Sequence, residues 1–378
     1  VEHEVISRRL LAEKYIWRQS DQNKERRGLN VDELSLLPKF MEGIPMPVLL
    51  ITHDGRIEAV NNPARQTLGE GLVGRLYLTA FRQPAIAECI EAALNLAQAG
   101  VSRYVRQMGA GEQVFRVTVT PFAKGASCAF EDISEQEQIG QMRRDFVANV
   151  SHELRTPLTA LLGFIETLQG AARDDVAARE RFLAVMAREA ERMNRLVGDL
   201  LSLSRVEAQE RVRPTKTVDL AVVLARVVSD LRPVSEAANV QVELVCEAGA
   251  MAPADSDQIV QVLTNLIENA IKYGGNGKRV KVALRHEHRD PVLRGPALRV
   301  DVVDQGDGID AVHLPRLTER FYRVDAHRSR EKGGTGLGLA IVKHIVNRHR
   351  GRLIIASEKA VGSTFSVVLP AAEAAKAG

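Results

Sequence analysis

From position 146 to 165 apolar residues recur at every third or fourth place, at Phe146, Val150, Leu154, Leu158, Leu161 and Ile165. That is a helix period, and it excludes a strand over the stretch. The charged run 134–145 ahead of it contains no breaker, so one helix is expected to carry through both. A polar cluster interrupts the other face: Ser151, His152, Glu153, Arg155 and Thr156. Positions 152, 153 and 156 fall within one turn, which projects an imidazole, a carboxylate and a hydroxyl to the same side. Pro157 has no N–H to return to the Glu153 carbonyl, and the axis is expected to bend beside His152. A solvent-facing imidazole beside a carboxylate is a candidate nucleophile, because the carboxylate can take the Nδ1 proton and leave Nε2 to attack. The same pair on its own is also what a solvated helix face carries. It is no zinc-protease motif, since Thr156 stands where the second His of HExxH is needed.

A second helix should follow. The first weakens at Gly170-Ala171-Ala172, and Asp174-Asp175 offers an N-cap. Phe182, Val185, Met186, Met193, Leu196, Leu200 and Leu203 then line one face, with Arg188, Glu189, Glu191, Arg192 and Arg195 over the rest. Two amphipathic helices on a short loop leave much apolar surface open, and a symmetric dimer would bury it as a four-helix bundle.

The 378-residue chain is long enough for about two to four domains. Its net charge of +3, with both signs mixed among 26% charged residues, argues against a nucleic-acid binder, as does the lack of any helix-turn-helix or aromatic-basic motif. Cys89, Cys128 and Cys246 are far apart with no CxxC pair, and read as reduced core thiols of a cytosolic protein. No run of about 18 apolar residues occurs, so no membrane span is expected here. The chain begins at Val1 rather than Met, from which further residues upstream are expected. The segment 1–35 holds Arg8, Arg9, Lys14, Arg18, Lys24, Arg26 and Arg27 around Tyr15 and Trp17. Such a segment suits the cytoplasmic side of a bilayer, and an ordinary charged helix accounts for it equally.

Between 36 and 134 the texture changes. The run Val48-Leu49-Leu50-Ile51, the turn His53-Asp54-Gly55 and the alternating stretch 56–60 signal a hairpin. Helices are expected at 63–68 and 84–99, then strands at 102–107, 113–121 and 126–133. This order, closed by Asp132-Ile133-Ser134, resembles a PAS domain, whose sheet passes to an outgoing helix through such an Asp-x-Ser/Thr element. Neither a photoadduct cysteine segment nor a haem-ligating His is in place, which favours a PAS module without cofactor.

Four blocks follow in order. In 255–274, Asn265 and Asn269 share one helix face with Lys272 and Tyr273 just beyond, while Ile259, Leu263, Leu266, Ile267 and Ile271 take the buried side. Amide oxygens are hard ligands suited to Mg²⁺. In 300–309 an apolar strand ends at Asp304, then Gly306 and Gly308 permit close approach to the backbone. Block 317–325 reads LTERFYRVD and leads into a stretch to 332 rich in Arg and His. The last, 333–341, places Gly334, Gly336, Leu337 and Gly338 at the start of a helix whose amides can cradle phosphate. Gly351 is expected to cap that helix after Arg350. There is no Walker or Rossmann fingerprint. His286-Glu287-His288, in an expected polar insertion, has no third or fourth metal ligand nearby.

SHELRTPL followed by the Asn-bearing helix and two Gly-rich loops resembles the sensor histidine kinase family, over 36–370. FVANVSHELRTPLTALLGFIETL is most similar to its phosphate-regulon type. The resemblance implies an α+β multidomain chain: a juxtamembrane segment 1–35, a PAS domain 36–134, a dimeric phosphoacceptor (HisKA) hairpin 135–212, an α/β-sandwich ATP-binding domain of Bergerat type 217–371, and a disordered tail 372–378. It implies that His152 is phosphorylated, that Glu153 is its base, and that Thr156 orients water in a phosphatase reaction. ATP with Mg²⁺ would be held by Asn265, Asn269, Lys272, Tyr273, Asp304 (on the adenine amino group), Gly306, Gly308, Phe321, Arg323 (on the γ-phosphate, with Arg320 a second candidate), Gly334, Gly336, Leu337 and Gly338. The implied partners are a second copy and a separate response regulator. The implied setting is the cytoplasmic portion of an inner-membrane sensor. A chaperone- or topoisomerase-type clamp of the same ATPase fold places a Glu where Asn265 stands. A scaffold with weak kinase activity is the remaining alternative.

Overall fold

The computed structural model describes residues 36–109, 111–274, 279–325, 329 and 333–372. The basic segment 1–35, most of the Arg- and His-rich stretch and the end of the chain beyond 372 lie outside these, with the expectations attached to them. The chain divides into two compact units at Asp145 and Phe146.

In the first unit α1 (Leu36–Glu42) precedes β1 (Val48–Thr52) and β2 (Ile57–Val60). Gly55 makes their turn at φ 79°, a left-handed conformation that glycine adopts without strain. Helices α2 (Asn62–Leu68), α3 (Tyr77–Ala80) and α4 (Pro84–Leu96) come next. β3 (Gly100–Met108), β4 (Gly111–Phe122) and β5 (Gly125–Asp132) then form an antiparallel meander. The sheet order is β2-β1-β5-β4-β3. Period-two alternation decides its faces: Phe115, Val117 and Val119 are buried, while Arg116, Thr118 and Thr120 are exposed. Phe81, Tyr104, Phe115 and Phe130 form an aromatic cluster beneath α4. Asn61 is fully buried. Its Oδ1 accepts from the N–H groups of Val48 (2.9 Å) and Ala64 (3.0 Å), and its Nδ2 donates to the Met41 and Met46 carbonyls. One side chain thereby caps α2 and ties it to α1 and β1. At the end of the sheet Ser134 N–H donates to Asp132 Oδ1 (2.9 Å) and Ser134 Oγ accepts from Val114 N–H (2.9 Å). That is the physical content of the Asp-x-Ser element.

α5 (Ser134–Gln169) starts there as one helix of 36 residues and passes through Pro157. In the second unit it is followed by α6 (Val176–Gln209), whose N-cap Asp175 accepts from Ala178 N–H at 2.9 Å. Phe164 stacks on Phe182 with ring centroids 5.3 Å apart, which closes the two helices as a hairpin. The remainder is a two-layer α/β sandwich. α7 (Leu220–Asp230), α8 (Arg232–Ala237), α9 (Ser256–Tyr273) and α10 (Gly338–Arg348) cover a sheet ordered β11-β12-β10-β9-β7. Its strands are β7 (Gln241–Cys246), β9 (Arg279–Glu287), β10 (Ala297–Asp304), β11 (Arg352–Glu358) and β12 (Gly362–Pro370). Only the β7–β9 pair is parallel among these. β6 (Thr217–Asp219) pairs separately with β8 (Met251–Pro253).

The core of the sandwich does not stop at the sandwich. Leu196, Leu203 and Val206 of α6 are buried in the same cluster as Val342, Ile345 and Val346 of α10. Burying side chains of that size contributes roughly 1.5–3 kcal/mol each. The connection 210–216 is held on α10: His344 Nδ1 contacts Glu210 (3.2 Å) and Arg348 Nε donates to the Val212 carbonyl (3.0 Å). Of the apolar stripe read from sequence, Phe146 and Leu154 pack on this core, whereas Leu158 and Ile165 stay exposed, together with Leu162 on α5 and Leu183, Val197 and Leu201 on α6.

Three local expectations change. Arg350, not Gly351, takes the left-handed position after α10, at φ 56°. Gly351 is small for another reason, since a Cβ there would lie 2.3 Å from the Val368 carbonyl oxygen. Cys246 is exposed on edge strand β7 rather than in the core. His286 and Glu287 belong to β9, not to an insertion, and His286 Nδ1 pairs with Glu247 at 3.0 Å.

Candidate active site

α9 carries the first expected block. Its buried side is Ile259, Leu263, Leu266, Ile267 and Ile271, which leaves Asn265 and Asn269 half-buried on the other. Asn265 Nδ2 lies 3.4 Å from the Gly338 carbonyl, joining α9 to the start of α10. Lys272 pairs with Glu268 one turn back (2.7 Å), and Tyr273 OH donates to Ser329 Oγ (3.2 Å). No hydrogen bond involves the Asn269 amide among the described residues.

Asp304 ends β10 almost fully buried, with Oδ1 accepting from Gly306 N–H at 2.8 Å. A Cβ at Gly306 would lie 2.2 Å from the Tyr273 carbonyl, and one at Gly308 (φ 64°) would lie 1.9 Å from the Glu358 carbonyl. Both glycines are required by the backbone itself, and they bring the carboxylate of β10 beside the C-terminus of α9. Gly336, at φ 76°, accommodates the Phe321 backbone, whose N–H donates to the Gly336 carbonyl at 2.8 Å. Leu337 is buried, and as the N-cap residue of α10 it makes no side-chain capping bond. An uncapped helix start preceded by Gly334 and Gly336, with Gly338 as its first residue, is a fit place for an anion.

On the hairpin His152 and Thr156 are exposed, and Thr156 Oγ1 donates to the His152 carbonyl at 3.1 Å. Glu153 is turned inward. Arg192 of α6 donates to its Oε2 at 2.7 Å, and Arg323 approaches both carboxylate oxygens, at 3.3 and 3.1 Å. No described hydrogen bond joins Glu153 to His152. The Arg323 side chain is 6% exposed and also donates to the Thr335 carbonyl (2.7 Å), so it is fixed between α5 and the glycine loop. Phe321 packs on Phe146 (ring centroids 5.9 Å), and the Arg320 guanidinium lies over the same Phe146 ring while pairing with Glu207.

A second carboxylate meets the glycine loop. Thr335 Oγ1 donates to Asp199 Oδ2 of α6 at 2.6 Å and accepts from Leu337 N–H at 3.3 Å. Burial pushes the Asp199 carboxyl above the ordinary aspartate range, opposed by the Thr335 hydrogen bond and the nearby Lys272 and Arg195 charges and reinforced by Glu268. A small cleft lined by Glu153, Pro157, Arg192, Met193, Leu196 and Thr335 lies between the two contacts. Sequence reasoning missed Arg192, Asp199 and Thr335. Their partners lie 39 and 136 positions away, and no periodicity reports such a pair.

Residues 254–373 match the family described as histidine kinase-, DNA gyrase B-, and HSP90-like ATPase, and residues 142–209 match the His Kinase A (phospho-acceptor) domain. Phosphate regulon sensor protein PhoR of Pseudomonas aeruginosa is 40% identical over 246 residues, covering 65% of this chain and 54% of that protein. Sensor protein kinase WalK of Staphylococcus aureus is 32% identical over 369 residues, covering 93% of this chain and 83% of that sequence. Against the WalK of several S. aureus strains the share of the relative is 56%, so the chain spans about half the length of most of these curated relatives. Among solved structures, histidine kinase ThkA in complex with response regulator protein TrrA aligns over 87% of this chain and 96% of that chain at 21% identity with a TM-score of 0.50, a likeness of fold.

Proposed function

Because the chain belongs to the sensor histidine kinase family, we propose that it moves the γ-phosphoryl group of ATP to His152 and from there to an aspartate of a separate response regulator. Nε2 of His152 bonds to the γ-phosphorus while the bond to the β,γ-bridging oxygen breaks and its electron pair leaves on ADP. The Nδ1 proton passes to Glu153. On the regulator the N–P bond breaks in turn, and a carboxylate oxygen takes the phosphoryl group. The hydroxyl of Thr156 would orient water against the resulting aspartyl phosphate, giving the same helix a phosphatase role. The observation that supports the reading most is the presence on one chain of a phospho-acceptor match over the helix that bears His152 and an ATPase match downstream, residues 142–209 and 254–373.

For the nucleotide, Asp304 would accept from the adenine amino group, with Gly306, Gly308 and Tyr273 beside it. Lys272, Arg323 and the loop Gly334, Gly336, Leu337 and Gly338 would face the phosphates, and Phe321 would seat the segment that follows. The donor set fits Mg²⁺: Asn269 and Asn265, one helical turn apart, would hold it through their amide oxygens, the kind of hard donor the ion prefers. When bound, it neutralises charge on the phosphate oxygens.

The sheet order of the first unit and the Asp132–Ser134 link support a PAS domain over 36–134. The 40% identity to PhoR supports the phosphate-regulon type, and ThkA's complex with TrrA supports a response regulator as partner. The open apolar rows on α5 and α6 support a homodimer. No described helix is long and apolar enough to cross a membrane. The setting proposed is the cytoplasmic portion of an inner-membrane sensor.

The test is incubation with γ-labelled ATP and Mg²⁺, wild type beside His152→Gln. Acid-labile, alkali-stable label that disappears in the variant is expected. Label retained by His152→Gln would overturn the assignment.

A further inference from the structure

Two carboxylates of the hairpin stand on groups that the nucleotide phosphates need. Glu153 engages both terminal nitrogens of Arg323, and Asp199 takes the hydroxyl of Thr335 at the start of the glycine loop. Each is set as a phosphate oxygen would be: one on a guanidinium fork, the other at the entrance to an uncapped helix N-terminus. Neither position is loose. The Arg323 and Thr335 side chains are buried, and Asp199 is flanked by Leu196, Leu200 and Leu203 at helical spacing on α6.

We infer, resting on the nucleotide reading above, that Glu153 and Asp199 are internal competitors of the triphosphate, so that the docked hairpin and a bound triphosphate exclude each other. Asp199 is the residue that sets nucleotide affinity through this competition. A phosphate brought to the Thr335 loop meets the Asp199 carboxylate a hydrogen bond away, and like charges repel strongly where water is scarce. A γ-phosphate draws Arg323 off Glu153 and so undoes one of the two contacts that hold the hairpin on the glycine loop. A diphosphate, having no γ-phosphate, leaves the Arg323–Glu153 pair intact and displaces the hairpin less.

The test uses the full chain with Mg²⁺, comparing the β,γ-imido analogue of ATP with ADP. Asp199→Ala should bind the analogue about tenfold more tightly than wild type, with a smaller gain for ADP. Equal or weaker binding by a variant with unchanged circular dichroism would overturn the inference. Should Asp199→Ala fail to fold, wild type alone decides it by amide hydrogen exchange. The analogue should speed exchange over 192–206 of α6, and exchange unchanged or slowed at saturation would overturn the competition. Binding of neither nucleotide to wild type removes the nucleotide reading itself and this inference with it. Binding without the Asp199 effect removes only the inference.

Discussion

His349 is 1% exposed where the end of α10 meets the start of α9. Its Nδ1 bonds to the Ile345 carbonyl (2.7 Å), so Nε2 carries no proton and accepts from Asp255 N–H (3.0 Å). Burial depresses its pKa below 6.5, with the Arg348 charge adding to that and the Ile345 bond and Asp255 opposing it. A depressed histidine adds stability that is whole above the unfolded value and is lost as pH falls through the folded one. The urea midpoint of the ATPase-domain transition is therefore expected to drop as pH falls below about 6.5, and His349→Gln should flatten that slope. An unchanged slope in the variant would remove His349 as its source. Little of this was legible beforehand. A histidine in an amphipathic helix shows nothing of the backbone N–H it meets 94 positions earlier. The same holds for Asn61, the polar centre of its unit, whose partners at Val48 and Met41 lie 13 and 20 positions away. The helix under the polar cluster 151–156 was legible because its period is local. The common side expected for its three groups was not kept: His152 and Thr156 are exposed while Glu153 turns inward to Arg192 and Arg323. The partners of Glu153 were not legible, because Arg323 is 170 positions away.

At the scale of elements, strands and helices followed their periods closely. The alternation in β4 and the three-and-four spacing in α6 and α9 fix which side is buried, and the ends moved by a few residues at most. What periodicity could not divide was the apolar stripe of the hairpin. Half of it is covered by the chain itself, through Phe146, Leu154, Leu196 and Leu203, and half lies open. The open half is the surface a second copy would take, and it can be altered without touching the sandwich core. The double variant Leu158→Glu, Leu201→Glu is expected to keep its helix content and to halve the mass seen by light scattering, since about four buried leucines per dimer are replaced by charges. A dimer that survives both changes would place the interface elsewhere.

Across the whole molecule, the order of blocks was enough to read a phospho-acceptor hairpin ahead of an ATPase domain, since each block is a local pattern. The docking of the hairpin on the sandwich was not, because it is made by residues distributed over α5, α6, the glycine loop and α10. The connection 210–216, held by His344 and Arg348, tethers the two. A tethered competitor acts at an effective concentration set by its leash, and doubling a flexible leash weakens it by about 0.6 kcal/mol, or roughly threefold. A Gly-Ser insertion after Arg213 that doubles the connection should therefore tighten binding of the ATP analogue by about threefold while no nucleotide contact changes. Unaltered or weakened binding would mean the tether carries no such load. The ATP level at which such a chain responds then becomes a property of seven residues outside the nucleotide site, 210–216. Close relatives could be tuned to different energy states of the cell by insertions there, with every residue that touches the nucleotide left alone.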